Sequence, residues 1–396
     1  MKVLMINKFL YPKGGSETYM LQIGAALQAQ GHMVQYFGME DEKRCVGNAV
    51  GAYTSNMDLH TADPFSRLVY SVKTVYSAEA RRKLRQVLED FQPDVCHLNN
   101  FHYQLTPAIL LELRKWRKAG HACRVLYTAH DFQLVCPNHM CRNETVCEKC
   151  LGGHYLHCAK GKCIHGSRAK SIIGTAEALL WKHTDVYDTI DTILCCSAFL
   201  KDKLDTDPRF AAKTVTLHNF AERTAQTAAP KKDYVLYFGR LSPEKGVETL
   251  AQACRALPQI SFVFAGEGPS SAAIEAIPNI RSVGFQTGEA LQTLIREARF
   301  SLCPSECYEN CPFSVLESLA SGTPVLAAAV GGLPELVEDG KNGELFESGN
   351  VRALTEKIER LWSDKERTAL YAQNCLQSPP MDVSAYTKRL LQLYTC

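Results

Sequence analysis

The chain has 396 residues, of which 46% are hydrophobic and 22% charged, with a formal net charge of +2. This length and composition fit a soluble globular protein with two domains of ordinary size, each with its own core. The near-neutral charge excludes bulk electrostatic attraction to nucleic acid or to an anionic membrane.

Lys2–Asn7 reads as a buried first strand. It is not read as a signal peptide, because Asn7 and Lys8 break the apolar run and no small-residue cleavage site follows. No apolar stretch reaches the ~18 residues that a membrane-spanning helix needs. Residues 16–30 read as a helix stopped by Gly31, and Val34–Gly38 as the next strand. A basic helix follows over 77–92, its run Arg81-Arg82-Lys83-Leu84-Arg85 solvated or set against anionic lipid. Then come strand Val95–Leu98, helix 107–119 ending at Gly120, and strands Arg124–Thr128, Thr192–Cys196 and Thr214–His218. The rhythm is β-α-β, which implies a parallel sheet with helices on both faces.

Glu222–Asp233, rich in Ala and Thr, reads as an interdomain linker. The rhythm then restarts. Strands are expected at Tyr234–Gly239, Ser261–Ala265, Phe300–Pro304 and Pro324–Ala328, with helices over 246–256, 287–298, 312–321 and 332–338. Residues 384–396 read as an amphipathic helix. The expected domains are 1–221, with a Cys-rich insertion at 136–165, and 222–380, with 381–396 packing back on the first. Two open α/β sheets in tandem place ligands at the carboxyl ends of strands, hence in the cleft between domains.

The strongest local signal is Ser305-Glu306-Cys307-Tyr308-Glu309-Asn310-Cys311-Pro312-Phe313-Ser314-Val315-Leu316-Glu317. Glu309 falls in a loop after a strand. Pro312 suits the first turn of the following helix, and Glu317 lies further along that helix. The helix start offers free N–H groups and a positive dipole end to a phosphate, and the two carboxylates can accept sugar hydroxyls on either side. A second signal is Gly239-Arg240-Leu241-Ser242-Pro243-Glu244-Lys245-Gly246. Arg240 and Lys245 at a strand end can neutralise a departing diphosphate, the Arg by forked hydrogen bonds and the Lys as a point charge. Gly266 and Gly268 let backbone approach a ligand closely.

These segments, with Gly322-Thr323-Pro324-Val325 beyond them, resemble the retaining glycosyltransferases of family 4. The resemblance implies the GT-B fold: α/β, with two Rossmann-like doubly wound parallel-sheet domains facing a cleft. It implies that a sugar moves from a nucleotide-diphosphate sugar to a glycan or lipid-linked acceptor, as in cell-surface polysaccharide biosynthesis. By resemblance, Glu309 holds hydroxyls of the transferred sugar and Glu317 the ribose, while Arg240 and Lys245 stabilise the leaving group. Phe285 lies on the nucleobase rim, and Asn310, Cys311 and Phe313 offer backbone to the donor. Asn310-Cys311-Pro312 departs from the commoner family pattern and bears on sugar specificity.

Gly14-Gly15, after the first strand, match the family's Gly-Gly loop, and His130-Asp131 match its His-Asp beside the donor sugar. Asn99, Asn100 and His102 are acceptor-side candidates, and Ser197, His218 and Asn219 resemble cleft-lining positions. No nucleophile is assigned. The leaving phosphate helps to take the acceptor proton in a front-face attack. No cofactor is required for catalysis. The expected location is the cytoplasm, with peripheral contact at the inner face of the membrane.

The 17 cysteines do not imply a disulfide framework, since the count is odd and many, such as Cys96, Cys195, Cys196 and Cys303, sit in apolar runs. The insertion is different. Cys136, Cys147, Cys150, Cys158 and Cys163 are candidate ligands of a structural zinc, with Cys147-x-x-Cys150 at metal spacing. Disulfides and free thiols are the competing readings. For the whole chain, the alternatives are a nucleotide-sugar epimerase of the same fold and a zinc-dependent nucleic-acid-binding protein.

Overall fold

A computed structural model describes residues 1–56, 73–222 and 230–395. Most of the expected linker, residues 223–229, lies outside the described residues. The chain forms two units: Met1–Asn143, Cys147–Leu217 and Val383–Cys396 make the first, and Glu144–Val146 with His218–Asp382 make the second.

The first unit holds a parallel sheet of β1 (Lys2–Ile6), β2 (Met33–Phe37), β3 (Val95–Leu98), β4 (Arg124–Ala129), β5 (Thr192–Cys195) and β6 (Thr214–Thr216). The spatial order is β2-β1-β3-β4-β5-β6. Leu4 pairs with Gln35 on one side and Cys96 on the other. β1, β3, β4 and β5 are almost wholly buried. A strand covered on both faces must be apolar at successive positions, which is why these segments read as unbroken apolar runs. The flanking helices include Gly15–Ala29, Ala78–Phe91, Ala108–Lys118 and Arg168–Lys182. Ser77, Ser167 and Ser197 each cap a helix by accepting a backbone N–H three residues on. The basic helix is less free than its sequence suggests. Arg81 and Arg85 both bond to Glu112, whose side chain is 4% exposed on the next helix.

The C-terminal helix Val383–Thr395 also belongs to this unit. The Tyr386 hydroxyl lies 2.9 Å from that of Tyr19, the Tyr394 hydroxyl 2.6 Å from His97 Nδ1, and Arg124 Nε donates to the Leu393 carbonyl.

The second unit repeats the architecture with β7 (Val235–Phe238), β8 (Phe262–Ala265), β9 (Ile280–Ser282), β10 (Phe300–Cys303), β11 (Val325–Ala328) and β12 (Gly343–Phe346), in the order β12-β11-β10-β7-β8-β9. Asn342-Gly343, readable as a plain turn, instead opens β12. Gly343 pairs with Val325, and a Cβ there would stand 2.0 Å from the Val325 carbonyl oxygen. Beside Gly343, Glu344 is buried and answered by Lys357, Arg360 and Arg367 from the two following helices.

In each sheet the chain reverses its direction of winding once, between β1 and β3 in the first and between β7 and β10 in the second. In open α/β sheets the crevice outside the carboxyl ends of the strands at that reversal is where ligands bind.

Candidate active site

In the second unit, the two loops at the reversal are those expected from the sequence. Residues 239–246 follow β7 and residues 304–312 follow β10. Lys245 Nζ lies 2.6 Å from Glu309 Oε1, and the same oxygen accepts the Ser305 hydroxyl at 2.6 Å. Burial alone would lower the pKa of Lys245, but the adjacent Glu309 carboxylate outweighs it and raises the ammonium above its ordinary value. The ammonium is therefore charged. Arg240 is exposed and forms no ion pair among the described residues. Its backbone is fixed by the Tyr237 hydroxyl, which donates to the Arg240 carbonyl at 2.8 Å. A free guanidinium next to an internally paired ammonium suits an anion that arrives with the ligand.

The glycines crowd the loops together. A Cβ on Gly266 would stand 1.9 Å from the Gly239 carbonyl oxygen, and one on Gly268 would stand 2.2 Å from that of Leu241. The loop after β8 thus lies against the loop after β7, where any side chain would force them apart. Gly331-Gly332 touches Glu309 directly. The Gly332 N–H donates to the Glu309 carbonyl at 2.6 Å, and a Cβ on Gly331 would meet the same oxygen at 2.2 Å.

The helix after β10 runs Phe313–Ala320, with Pro312 as its cap residue and not inside the first turn. Proline lacks the donor that the first turn leaves unused, so either place tolerates it. Glu317 is partly buried, and burial, aided by repulsion from Glu222, raises its pKa to about 7. Asn219 holds the loop by donating from its N–H to Cys311 Sγ and from Nδ2 to the Cys311 carbonyl. That carbonyl and thiol are therefore engaged within the unit. Phe313 packs edge-on against Phe220, and Phe285 is 70% exposed. His218 lies 2.7 Å from Glu335 Oε2.

In the first unit, the loops after β1, β3 and β4 converge. The Lys8 N–H donates to the Asn100 carbonyl, Asn7 Oδ1 accepts the Asn100 N–H, and Asn100 Nδ2 donates to Ser16 Oγ. His130 Nε2 lies 3.0 Å from Asn99 Oδ1. Burial lowers the His130 pKa to about 3, so the imidazole is neutral across the physiological range. Gly14 precedes the helix Gly15–Ala29 without a side-chain cap, and Glu17 in the first turn accepts hydrogen bonds from Asn7 and Ser16. This carboxylate already sits where the helix start would attract an anion. His102 is buried against Phe101 and bonded to the Tyr187 hydroxyl, and burial takes its pKa to about 3. It is packed as a core histidine. Ser197 caps the helix Ala198–Asp205.

Sequence reasoning missed the layer beneath His130. The Tyr19 ring meets the imidazole edge-on at 4.9 Å, and its hydroxyl bonds to Thr128 and Tyr386. Thr128 Oγ1 also lies 2.7 Å from His97 Nε2. Only the alternation of polar residues within apolar β3 and β4, His97 and Thr128, hints at it.

The expected zinc ligands are not gathered as a metal shell. Among the described residues, no three His, Cys, Asp or Glu side chains are arranged to hold a metal ion. Cys150 and Cys158 pack with Tyr155 in an apolar cluster completed by Cys163, Ile164, Ala178 and Leu179. Cys136 has Cys150 and also Cys141, which was not among the expected ligands, as hydrogen-bonded thiol neighbours, and half-buried Cys147 donates its N–H to the Cys141 carbonyl at 2.7 Å. These thiols also serve as small apolar groups in the insertion's core. All 16 described cysteines are free.

Comparison with known proteins agrees with this fold. The family described as glycosyl transferase 4-like domain matches residues 14–219, and glycosyl transferases group 1 matches residues 219–375. The chain belongs to the family 4-like glycosyltransferases of GT-B fold. Among curated relatives it is 30% identical to the sulfoquinovosyl transferase SQD2 of Arabidopsis thaliana over 42% of this chain and 32% of that one. It is 29% identical to the alpha-D-kanosaminyltransferase of Streptomyces kanamyceticus over 40% of this chain and 44% of that one. It is 33% identical to a D-inositol 3-phosphate glycosyltransferase of Mycobacterium sp. over 36% of this chain and 35% of that one. The match thus spans about a third to just under half of these relatives' lengths. Among solved structures, sucrose-phosphate synthase from Thermosynechococcus elongatus superposes with a TM-score of 0.71 at 18% identity, over 100% of this chain and 98% of that one. HepE of Anabaena, solved in complex with UDP, gives 0.69 at 18% identity over 100% of both chains.

Proposed function

We propose that this protein is a retaining glycosyltransferase that moves a sugar from a nucleotide-diphosphate sugar to a glycan or lipid-linked acceptor in cell-surface polysaccharide biosynthesis. The observation that carries this reading is the Lys245–Glu309 pair at the reversal of the second sheet, with the unpaired Arg240 on the neighbouring segment. Arg240 and Lys245 neutralise the diphosphate as it leaves, stabilising charge that develops in the transition state. Glu309 orients sugar hydroxyls and Glu317 the ribose. His130, neutral and hydrogen-bonded through Nε2 to Asn99, offers a hydrogen bond near the reacting sugar and no proton transfer at neutral pH. The leaving phosphate helps to take the acceptor proton. The HepE structure contains UDP, which makes a uridine donor the first to try.

No helix among the described residues is long and apolar enough to cross a membrane. We place the enzyme in the cytoplasm, with peripheral contact at the inner face of the membrane. A thermal-shift screen against UDP-, GDP- and ADP-sugars tests the reading, since a specific ligand raises the melting temperature. No shift with any donor, together with activity that survives Glu309→Ala, would overturn it. Epimerisation without an acceptor would instead favour a nucleotide-sugar epimerase.

A further inference from the structure

The first unit contains a cavity of about 910 Å³ that the donor chemistry does not use. Its walls come from the loop after β3, from residues 137–143 and 163–166 of the Cys-rich insertion, and from the start of the helix Arg168–Lys182. It lies beside the end of β4, where the lining residue His139 stands 3.9 Å from Asp131, the neighbour of His130.

The charged side chains among the described lining residues are both cationic, Arg142 and Lys170; His139 and His165 also face the cavity, and no described lining residue is acidic. Among the described residues, neither the Arg142 guanidinium nor the Lys170 ammonium has an ion-pair partner, and Arg142 Nε is buried without a hydrogen bond. A buried donor left unmade is costly, so a site that keeps one is completed by its ligand. The backbone is also held in an unfavourable form. Tyr103 (φ 68°), His139 (φ 54°) and His165 (φ 51°) all line the cavity in the left-handed region, which side chains other than glycine rarely adopt. Such strain clusters where the surrounding structure fixes a binding geometry. The Tyr103 hydroxyl locks one wall by donating to the Pro137 carbonyl. Met140, Ile164 and Ile173 supply an apolar side.

We propose that this cavity binds the phosphate or diphosphate ester of the acceptor, with Arg142 as the forked ligand and Lys170 as the point charge. Arg forks match phosphate oxygens, and an unpaired Lys adds attraction without fixed geometry. The apolar side receives the group that carries the phosphate, either a prenyl chain or a sugar ring. The Cys-rich insertion is then a specificity element, its thiol-packed core holding the wall that carries Arg142. This assignment rests on the glycosyltransferase reading.

Isothermal titration of the full chain with inorganic diphosphate, farnesyl diphosphate and glucose 1-phosphate tests it. Wild type is expected to bind inorganic diphosphate at two sites per chain. Arg142→Gln with Lys170→Gln should remove one of them, at least a tenfold loss of affinity, with an unchanged melting temperature. Arg142→Lys, which keeps the charge but loses the fork, should weaken the same site less. Arg240→Gln with Lys245→Gln should remove the other site only. Tighter binding of farnesyl diphosphate than of glucose 1-phosphate assigns a lipid-borne phosphate, and the reverse order a soluble sugar phosphate. Two sites retained in the Arg142/Lys170 variant overturn the proposal, as does weaker binding of both organic esters than of inorganic diphosphate. If Arg240 and Lys245 prove irrelevant while the Arg142/Lys170 site persists, the donor reading fails and the anion site stands.

Discussion

Lys245 and Glu309 are joined across the two loops that flank the reversal of the second sheet, with Nζ 2.6 Å from Oε1. Glu309 holds Lys245 in its charged form, and Ser305 adds a second hydrogen bond to the carboxylate. In the proposed reading the contact does two jobs: it positions a cation for the diphosphate and leaves the second carboxylate oxygen of Glu309 for the sugar. Lys245→Ala removes the cation and strands a largely buried carboxylate. We expect kcat/KM to fall about 100-fold or more, the scale seen when one preorganised stabilising donor is lost. Lys245→Arg should recover part of it. Steady-state kinetics with the donor found by thermal shift checks this, and a variant within threefold of wild type would remove Lys245 from the leaving-group role.

The crowding of Gly266 against Gly239 predicts a steric phenotype without any change of charge. Gly266→Ala puts a methyl group 1.9 Å from a carbonyl oxygen, so the loops after β7 and β8 must separate. Donor affinity should drop at least tenfold and the melting temperature should fall. Gly31→Ala is the control for losing a glycine, because a Cβ there meets nothing within 4 Å and only the backbone strain at φ 82° remains. That variant should melt lower but bind the donor normally.

Glu317 predicts a pH dependence of donor binding. Its free carboxyl titrates near pH 7, because burial and Glu222 disfavour the charge. Ribose hydroxyls donate to the ionised form, so binding releases the proton. Affinity should rise as pH climbs toward about 7 and level off above it. Calorimetry in buffers of different ionisation enthalpy should detect proton release below that point, and Glu317→Gln should abolish both effects. His130, already neutral, should contribute no step near pH 6.5. A step that survives Glu317→Gln but disappears in His130→Gln would reverse these assignments.

Glu177, on the helix Arg168–Lys182, is buried, and that burial raises its pKa to about 8. A carboxyl whose folded pKa lies above its unfolded value contributes most below the unfolded pKa, and the contribution is lost as pH rises through the folded one. Stability should therefore decline between about pH 4.5 and pH 8 through this group. Glu177→Gln should flatten that decline, with a melting temperature close to wild type at pH 5 and above it at pH 8. Equal melting temperatures at pH 8 would show that the carboxyl is relieved by another route.

The insertion predicts a chelator result. Its thiols pack as a small core with Tyr155, Ile164 and Leu179, so treatment with EDTA should leave the melting temperature unmoved. Cys158→Asp, which places a charge in that core, should lower it by several degrees, consistent with a destabilisation of a few kcal/mol.

What the sequence revealed follows from how far apart the interacting residues lie. The site in the second unit was legible because its parts are short contiguous segments, each tied to one strand end. The strands of both sheets were legible because burial on two faces writes itself as consecutive apolar residues. The support of His130 was not. His97 and Tyr394 are 297 positions apart, and Tyr19 and Tyr386 are 367 apart. No local pattern announces such a contact. β12 was missed because a glycine at a strand start has the same appearance as a glycine in a turn. The cysteine spacing alone does not report whether a sulfur faces an ion or a neighbouring leucine.

The place of the helix Val383–Thr395 has a consequence for how the molecule is made. The first unit draws on both ends of the chain, while the second is almost contiguous, from His218 to Asp382. During synthesis the unit begun first is the one finished last. Until Tyr386 and Tyr394 emerge, Tyr19 lacks one of its hydroxyl partners and His97 Nδ1 lacks its partner too. The histidine loop at the end of β4 is then held from one side only. The packing of the first unit thus waits on the helix Val383–Thr395, which follows the second unit along the chain and is translated after it.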